Sequence, residues 1–249
     1  MRGGFIHPRW SRLIAQALAV IALAAPGAQA DVFRWDNGEA IPGTRGIVLA
    51  PKANLLNMDL QFADLRGADL TEARLSSSRL GNADFSGAII AGAGMTELTG
   101  NGFVREQLYA TASYQAHRLP AINFGYNDLR GWDFTNQDLT GTSFGWSQVA
   151  DADFSGALIR EAAFTESGFT KEQLYSTASH QQGDLQDVEF WKDDLRGWDL
   201  SEQNLTGAVL WSCQLGGADF RGAIITDVNL TDTTRLGFAR DQLLSLIHI

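Results

Sequence analysis

The stretch that decides the fold is ADLRG at residues 63–67, followed at once by ADLTE at residues 68–72. The third residue of each five is leucine. Read outward from here in steps of five, the third position is a large apolar residue 29 times, over 55–95, 119–164 and 185–230. A period of five fits neither the 3.6 residues of a helix turn nor the alternation of a simple strand. The chain therefore predicts a repeat architecture.

The repeated unit has the form A-(D/N)-(L/F)-x-x, most clearly where it begins at Ala63, Ala68, Ala83, Ala152 and Ala218. On these motifs the chain resembles the pentapeptide-repeat family over nearly all of residues 53–232. The resemblance implies an all-β solenoid, specifically a right-handed quadrilateral parallel β-helix with short helical excursions. Each pentapeptide would form one face, and four would complete a coil. The third residue and the small residue two before it would point inward.

Four faces per coil place residues 20 apart on top of each other. We expect Phe134 to stack on Phe154 inside the solenoid, and Asp59 to lie below Arg79 on its surface. Backbone hydrogen bonds would join successive coils at about 4.8 Å. Each coil then contacts only its neighbours.

A longer repeat is superimposed on the short one. GFVREQLY at 102–109 recurs as GFTKEQLY at 168–175, a shift of 66, and a third copy begins with GFARDQL at 237–243. We expect each module to join ten pentapeptides to one excursion, near 99–116 and 165–182. If an excursion supplies two faces, a module makes three whole coils, and the excursions share one edge.

Each excursion is predicted to contain a single short helix, roughly over 103–114 and 169–180. Thr170 and Gln173 fit a capping box at the start of the second helix. In the first excursion, we expect Phe103, Leu108 and Ala112 to dock on the side of the solenoid.

The N-terminal residues 1–30 have the three parts of a secretory signal peptide. Arginines precede an apolar run at 13–25, and Ala28-Gln29-Ala30 offers a cleavage site. An uncleaved membrane anchor is the alternative, although the run is shorter than the roughly 20 residues of a spanning helix. We expect an extracytoplasmic protein with an N-terminal cap segment at 31–52, and no transmembrane span in the mature chain.

The C-terminal residues LSLIHI, 244–249, break the pattern that precedes them. Back-translated as CTG TCT CTT ATA CAC ATC, they match a transposon end used in sequencing-library preparation. Our hypothesis is that this tail is translated adaptor, and that residues 233–243 begin a third excursion. A genuine apolar C-terminal strand is the alternative.

Composition excludes several kinds of chemistry. The net charge is −10, or −13 without residues 1–30, which argues against direct nucleic-acid binding through phosphate contacts. A single cysteine excludes an intrachain disulfide and a multi-cysteine zinc site. Glycine-rich phosphate loops, HExxH and G-x-S-x-G motifs do not occur. We therefore predict a non-enzyme with no catalytic, cofactor-binding or metal-binding residues and no cofactor.

The remaining reactive side chains have ordinary structural interpretations. His117 and His180 occupy non-equivalent places in the two modules, so we expect surface residues. Cys213 stands at an inward small-residue position, which favours a buried inert thiol over a nucleophile. Most aspartates occupy the second position of a pentapeptide, which favours a solvated face over a catalytic carboxylate pair.

The tryptophans leave two interpretations open. Trp132 and Trp198 occupy inward positions where the family prefers alanine. They either fill a gap beside the excursion or form an aromatic platform for a sugar, together with Trp146, Trp191 and Trp211.

Three functions follow from these observations. The first is an exported, non-catalytic scaffold that binds an unidentified protein or a cell-surface glycan. The second is a DNA mimic that binds topoisomerase, as some family members do, although the signal peptide opposes cytoplasmic residence. The third is a secreted β-helical carbohydrate-active enzyme, for which no site is recognisable.

Overall fold

The computed structural model describes residues 31–233. Within them the chain forms a β-solenoid whose coils are joined by isolated parallel bridges between residues 20 apart, such as Asn54 with Arg74. Four pentapeptides therefore make one coil. The predicted signal peptide, the C-terminal tail and all but the first residue of the third excursion lie outside the described residues.

The corners of the coil are β-turns. The N–H of Ala63 donates to the carbonyl of Leu60 at 3.0 Å. Between them, Phe62 adopts a φ of 62°, and Gly67 takes the corresponding place in the next face with a φ of 64°. A positive φ at the third turn position is the conformation that glycine adopts without strain. This requirement explains the many glycines that end a pentapeptide.

The inward positions form the core as predicted. Of the 29 third-position residues, 27 are buried, and the half-buried ones, Ile225 and Leu230, lie in the last coil that the structure describes. Phe134 stacks on Phe154 with ring centroids 5.3 Å apart, as expected. On the surface, Arg79 and Asp59 form the predicted ion pair at 2.8 Å. Such exposed pairs contribute about 0–1 kcal/mol, so the apolar columns carry the stability.

The prediction of one helix per excursion is wrong. Thr111 and Thr177 interrupt the helices with an extended backbone, and their hydroxyl oxygens accept from the N–H groups of Tyr114 and His180. Each threonine thereby ends one short helix and caps the next. The described helices are a 3₁₀ helix at Thr99–Asn101, α1 at Arg105–Tyr109, α2 at Ala112–Gln115, α3 at Lys171–Ser176 and α4 at Ala178–Gln181.

The capping box at the start of α3 is confirmed. Thr170 Oγ1 accepts from the N–H of Gln173 at 3.2 Å, and Gln173 Oε1 accepts from the N–H of Thr170 at 2.9 Å. The amide nitrogen of Gln173 also donates to the carbonyls of Val149 and Ala152, at 2.9 and 2.8 Å. One glutamine therefore both caps the helix and fastens it to the preceding coil.

The docking of the first excursion is confirmed in part. Phe103 and Leu108 are buried, but Ala112 is only half-buried. Ala112 docks through its backbone instead, since its N–H donates to the carbonyl of Ala88 at 2.9 Å. Ser113 is the buried side chain there, and its hydroxyl accepts from the N–H of Ile90.

Both excursions interrupt the same ladder of bridges. Successive bridges join Asn123 to Ser143, Ser143 to Ala163 and Ala163 to Glu189, so three coil steps lead from Asn123 to Glu189. The shift between these two residues is the shift by which the sequence module recurs. The first excursion, between Gly94 and Asn123, contains three residues more than the second, and the 3₁₀ helix occupies the longer connection.

The N-terminal segment covers the first coil. Arg34 forms an antiparallel bridge with Ala63, and Phe33 pairs with Ala40 in a hairpin. Val32 and Ile41 are buried against the core beneath the coil. The hairpin therefore closes this end of the described core.

Candidate functional site: an exposed aromatic strip

Four aromatic side chains, Tyr126, Trp146, Trp191 and Trp211, form a continuous row on the outside of the solenoid, here called the aromatic strip. Tyr126 stacks on Trp146 with ring centroids 5.3 Å apart, and Trp191 stacks on Trp211 at 5.0 Å. The two pairs meet where Trp146 and Trp191 contact edge to face at 6.0 Å. The strip spans five coils, because one coil between the pairs carries Glu166 instead of an aromatic ring.

The coil repeat builds the strip. Within each stacked pair the residues are 20 apart, and they follow the inward Phe124, Phe144, Phe190 and Leu210 by one or two positions. Tyr126, Trp146 and Trp211 are 55%, 43% and 37% exposed, and Trp191 is half-buried. Within each pair, the stacked rings cover part of each other's faces. Large apolar rings exposed in a row mark a surface suited to binding.

Charged side chains border the strip. Lys192 lies over the Trp191 ring, with its Nζ 4.8 Å from the centroid and 4.0 Å from a carboxylate oxygen of Glu166. At the other end, Trp211 Nε1 donates to Asp232 at 3.4 Å. The strip therefore combines apolar rings with both signs of charge.

The structure separates the five tryptophans of the sugar-platform interpretation, the alternative to gap filling by Trp132 and Trp198. Trp132 and Trp198 are 6% and 5% exposed. Trp132 packs on Phe103 and Tyr109 of the first excursion, so it fills the space beneath the helices. Trp198 packs on the inward Phe190. Trp146, Trp191 and Trp211 remain as candidate binding residues, joined by Tyr126.

Cys213 is buried, and its thiol donates to the carbonyl of Phe190 at 3.0 Å. Burial raises the pKa of this thiol to about 12. Because the thiolate is the nucleophile, a thiol of this pKa is unreactive at neutral pH. The interpretation as an inert core residue is confirmed.

The two histidines lie in different surroundings. His117 is exposed, as expected. His180 is half-buried instead, and it packs against Tyr175 with ring centroids 4.8 Å apart, just as Tyr114 packs against Tyr109 at 4.6 Å. His180 therefore stays partly exposed at the surface, and its ring takes the place of Tyr114 in the second module.

The second-position aspartates close turns. In Asp69, for example, one carboxylate oxygen accepts from both the N–H and the hydroxyl of Thr71, at 3.1 and 2.6 Å. Asp64 likewise accepts from the N–H of Arg66, at 3.3 Å, and also pairs with the guanidinium group of that residue. These hydrogen bonds lower the pKa of both carboxyl groups. The aspartates thus have a local structural role on a solvated face.

Two kinds of feature are absent from residues 31–233. No group of three or more histidine, cysteine, aspartate or glutamate side chains could hold a metal ion. Over the same residues, no helix has the length and apolar character needed to cross a bilayer.

Sequence reasoning missed two residues of this region. Tyr126 precedes Trp146 by one coil, so the stacking rule for successive coils would have found it. Asp193 stands two positions before the inward Leu195, at a place usually filled by a small residue. An acid at that position is itself the signal.

The chain belongs to the pentapeptide repeat family. The family model, described as pentapeptide repeats, matches in eight copies over residues 51–96, 121–156 and 184–234. These ranges cover the coils on both sides of each excursion.

Solved structures of other pentapeptide-repeat proteins resemble the chain. Trypsin-treated QnrB1, described as a plasmid-mediated fluoroquinolone resistance protein, is 18% identical, with 75% of this chain and 83% of that chain covered and a TM-score of 0.22. HetL, involved in heterocyst differentiation regulation in the cyanobacterium Nostoc sp., is 22% identical, with 73% and 84% covered and a TM-score of 0.18. A protein of the Arabidopsis thaliana thylakoid lumen is 20% identical, with 73% and 74% covered and a TM-score of 0.14. Comparison with curated proteins gave no match.

Proposed function

We propose that the protein is an exported, non-catalytic pentapeptide-repeat scaffold that binds a protein or a cell-surface glycan through the aromatic strip. The family resemblance supports a right-handed, four-sided cross-section for the solenoid. The aromatic strip is the observation that carries the binding proposal. It places three exposed rings and the half-buried Trp191 on one side of a rod with a continuous core.

A rigid support favours binding by such a surface. The rings of the strip already contact one another, so they lose little side-chain freedom when a partner covers them. Tryptophan and tyrosine are also the side chains that dominate the energy of many interfaces, since they bury much apolar area and keep a polar group for hydrogen bonding.

Binding is tested with the double variant Trp146→Ala/Trp211→Ala. The matched control is Leu158→Ala/Ile224→Ala, which removes two apolar side chains of similar exposure, 40% and 41%, outside the strip. Wild type and the two variants are screened on a glycan array and by crosslinking to surface proteins of the source cells. We expect the strip variant alone to lose tenfold or more in affinity, a loss of about 1.4 kcal/mol. Equal binding by wild type and strip variant would disprove the role of the strip.

Export is tested separately by cell fractionation. The full chain and a variant lacking residues 1–30 are expressed, and the mature N-terminus is sequenced. We expect the full chain outside the cytoplasm with a new N-terminus after Ala30, and the shortened chain inside. Retention of both in the cytoplasm would overturn export and favour the second function below.

A DNA mimic that binds topoisomerase is the second candidate, because the coils stack aspartate on aspartate. Parallel bridges join Asp64 to Asp84, and the same pairing recurs at Asp133–Asp153 and Asp199–Asp219. Arg66 lies between the first two carboxylates, 2.7 Å from Asp64 and 3.7 Å from Asp84, and weakens that part of the negative surface. Inhibition of gyrase supercoiling by the purified protein would support the mimic, and no effect at micromolar concentration would reject it.

A further inference from the structure

Asp193 and Asn127 occupy the same place in successive modules. Each stands two positions before an inward leucine, Leu195 or Leu129, and one module length separates them along the chain. Their side chains both reach back to the turn of the preceding coil. The pair therefore compares an amide and a carboxyl group in one structural position.

The amide of Asn127 is fully used. Its Oδ1 accepts from the N–H groups of Leu98 and Thr99, at 2.7 and 2.9 Å. Its Nδ2 donates to the carbonyls of Met95 and Phe124, at 2.8 and 2.7 Å. The site thus offers donors to one end of the side chain and acceptors to the other.

A carboxylate can accept from the backbone N–H donors of this site, but it has no proton to donate to the carbonyl acceptors. Asp193 Oδ1 accepts from the N–H of Glu166 at 3.1 Å, whereas Oδ2 is buried without a hydrogen-bond partner among the described residues. Phe190, which corresponds to Phe124, presents a carbonyl that accepts from the Cys213 thiol. An ionised Oδ2 can only accept, so it cannot replace the amide donor, but a protonated carboxyl can.

The charge of Glu166 also opposes the negative charge of Asp193, whereas the Cys213 thiol, whose pKa burial raises to about 12, is neutral. Glu166 lies in the preceding coil, and Cys213 occupies the corresponding inward position in the next. Lys192, the adjacent residue, directs its ammonium group to Glu166 and the Trp191 ring instead. Burial, with a smaller contribution from the Glu166 charge, raises the pKa of Asp193 to about 7.

We propose that Asp193 is a pH-sensitive element of the second module, whose protonated carboxyl group takes the place of the Asn127 amide and whose ionisation weakens the packing behind the aromatic strip. The folded state then holds a proton that the unfolded chain releases near pH 4. The contribution of Asp193 to stability is therefore fully present below about pH 4, decreases as the pH rises from about 4 to about 7, and changes no further above that.

The test compares the urea midpoints of full-length variants at pH 5 and pH 8. Asp193→Asn should lose most of the decrease between the two pH values that wild type shows, and Asn127→Asp should enlarge it. Asp194→Asn is the matched control, because this neighbouring carboxyl is exposed, pairs with Arg196 and has a lowered pKa. The histidines are present in every variant, so their contribution cancels.

An Asp193→Asn protein with the same pH dependence as wild type would overturn the proposal. The carboxyl group can also be observed directly in wild type by carbon-13 NMR. A titration midpoint near 7 for Asp193 supports the proposal, and a midpoint at or below 4 rejects it. Neither result depends on the binding partner of the strip.

Discussion

Leu65 shows how one inward side chain stabilises the coil around it. It is completely buried, and the next member of its column is Phe85, one coil further along the axis. Leu65→Ala should reduce the free energy of unfolding by about 2–5 kcal/mol, since it leaves a cavity in a packed core. Guanidinium unfolding measures the loss.

Arg66→Ala is the control for this substitution, because the arginine is adjacent in sequence but exposed. Its change should stay within about half a kcal/mol, as for most surface sites. A Leu65→Ala effect as small as that of Arg66→Ala would contradict the inward assignment.

The turn aspartates predict acid unfolding. Hydrogen bonds lower the folded-state pKa of carboxyl groups such as Asp69 and Asp153 below the unfolded value of about 3.9. Their contribution is present above that value and is lost as the pH falls through the folded pKa. The thermal midpoint should therefore decrease below about pH 4, opposite to the effect of Asp193 between pH 4 and 7. A midpoint that keeps rising down to pH 2 would be inconsistent with these hydrogen bonds.

At this scale, the repeat predicts positions better than it predicts chemistry. The period of five identifies which side chains point inward, and the buried leucines and phenylalanines agree with it. The period does not distinguish an inward polar side chain with all its hydrogen bonds from one that lacks a partner. Asn127 and Asp193 occupy equivalent positions, and only the backbone groups around them show that one is satisfied and the other is not.

Gln173 is the contact on which the second excursion depends most clearly. Gln173→Ala removes the side-chain half of the capping box and leaves the carbonyls of Val149 and Ala152 without this donor. We expect a loss of about 1–3 kcal/mol, the usual cost of unsatisfied polar groups with limited access to water. Hydrogen exchange should show faster opening of α3 and α4.

Gln182→Ala is the matched control, because it removes an exposed glutamine from the C-terminal end of α4. Its exchange rates should equal those of wild type. Unchanged α3 protection in Gln173→Ala would mean that the other contacts, such as buried Phe169 and Leu174 and the Ala178 N–H, hold the excursion on the solenoid without Gln173.

The division of each excursion into two helices could not be read from its sequence. Threonine is tolerated inside a helix, so Thr111 and Thr177 alone do not predict a break. The break follows from docking, because the N–H groups of Ala112 and Ala178 donate to the carbonyls of Ala88 and Ala157 in the preceding coil. These contacts link residues distant in sequence, whereas the capping box is local and was predictable.

At the scale of the whole molecule, the module predicts which deletions preserve the fold. Removal of residues 123–188 joins Ile122 to Glu189, and both Asn123 and Glu189 belong to the same ladder. Gly94 can then pair with Glu189 in place of Asn123. We expect a shorter solenoid with a native-like circular dichroism spectrum and a cooperative unfolding transition.

Removal of residues 123–147 is the control. It deletes whole pentapeptides, but it brings Gln148, a member of the neighbouring ladder, to the place of Asn123. Every later column then shifts by one face against the columns before the deletion. A control deletion as stable as the deletion of the whole module would show that the register between coils is unimportant.

The candidate site was only partly predictable at this scale. The sequence marks Trp146, Trp191 and Trp211 as unusual, but it does not separate them from Trp132 and Trp198. Position within the pentapeptide separates the two sets. Trp132 and Trp198 stand two residues before an inward residue, whereas the other three tryptophans stand one or two residues after an inward residue. The contact between the two stacked pairs depends on how the second excursion rejoins the solenoid, and no local pattern encodes that path.

The antiparallel hairpin at the start of the described chain determines at which end of the solenoid further coils can be added. Apart from Phe33–Ala40 and Arg34–Ala63, the bridges among residues 31–233 are parallel, so each coil exposes the same kind of edge for the next coil to continue. Arg34 pairs with the free edge of the first coil at Ala63 in the antiparallel direction. Val32 is buried and closes the core at this end. A further parallel coil cannot be added there. Tandem duplication can therefore lengthen this protein only on the far side of its first coil, with the hairpin as the fixed starting point.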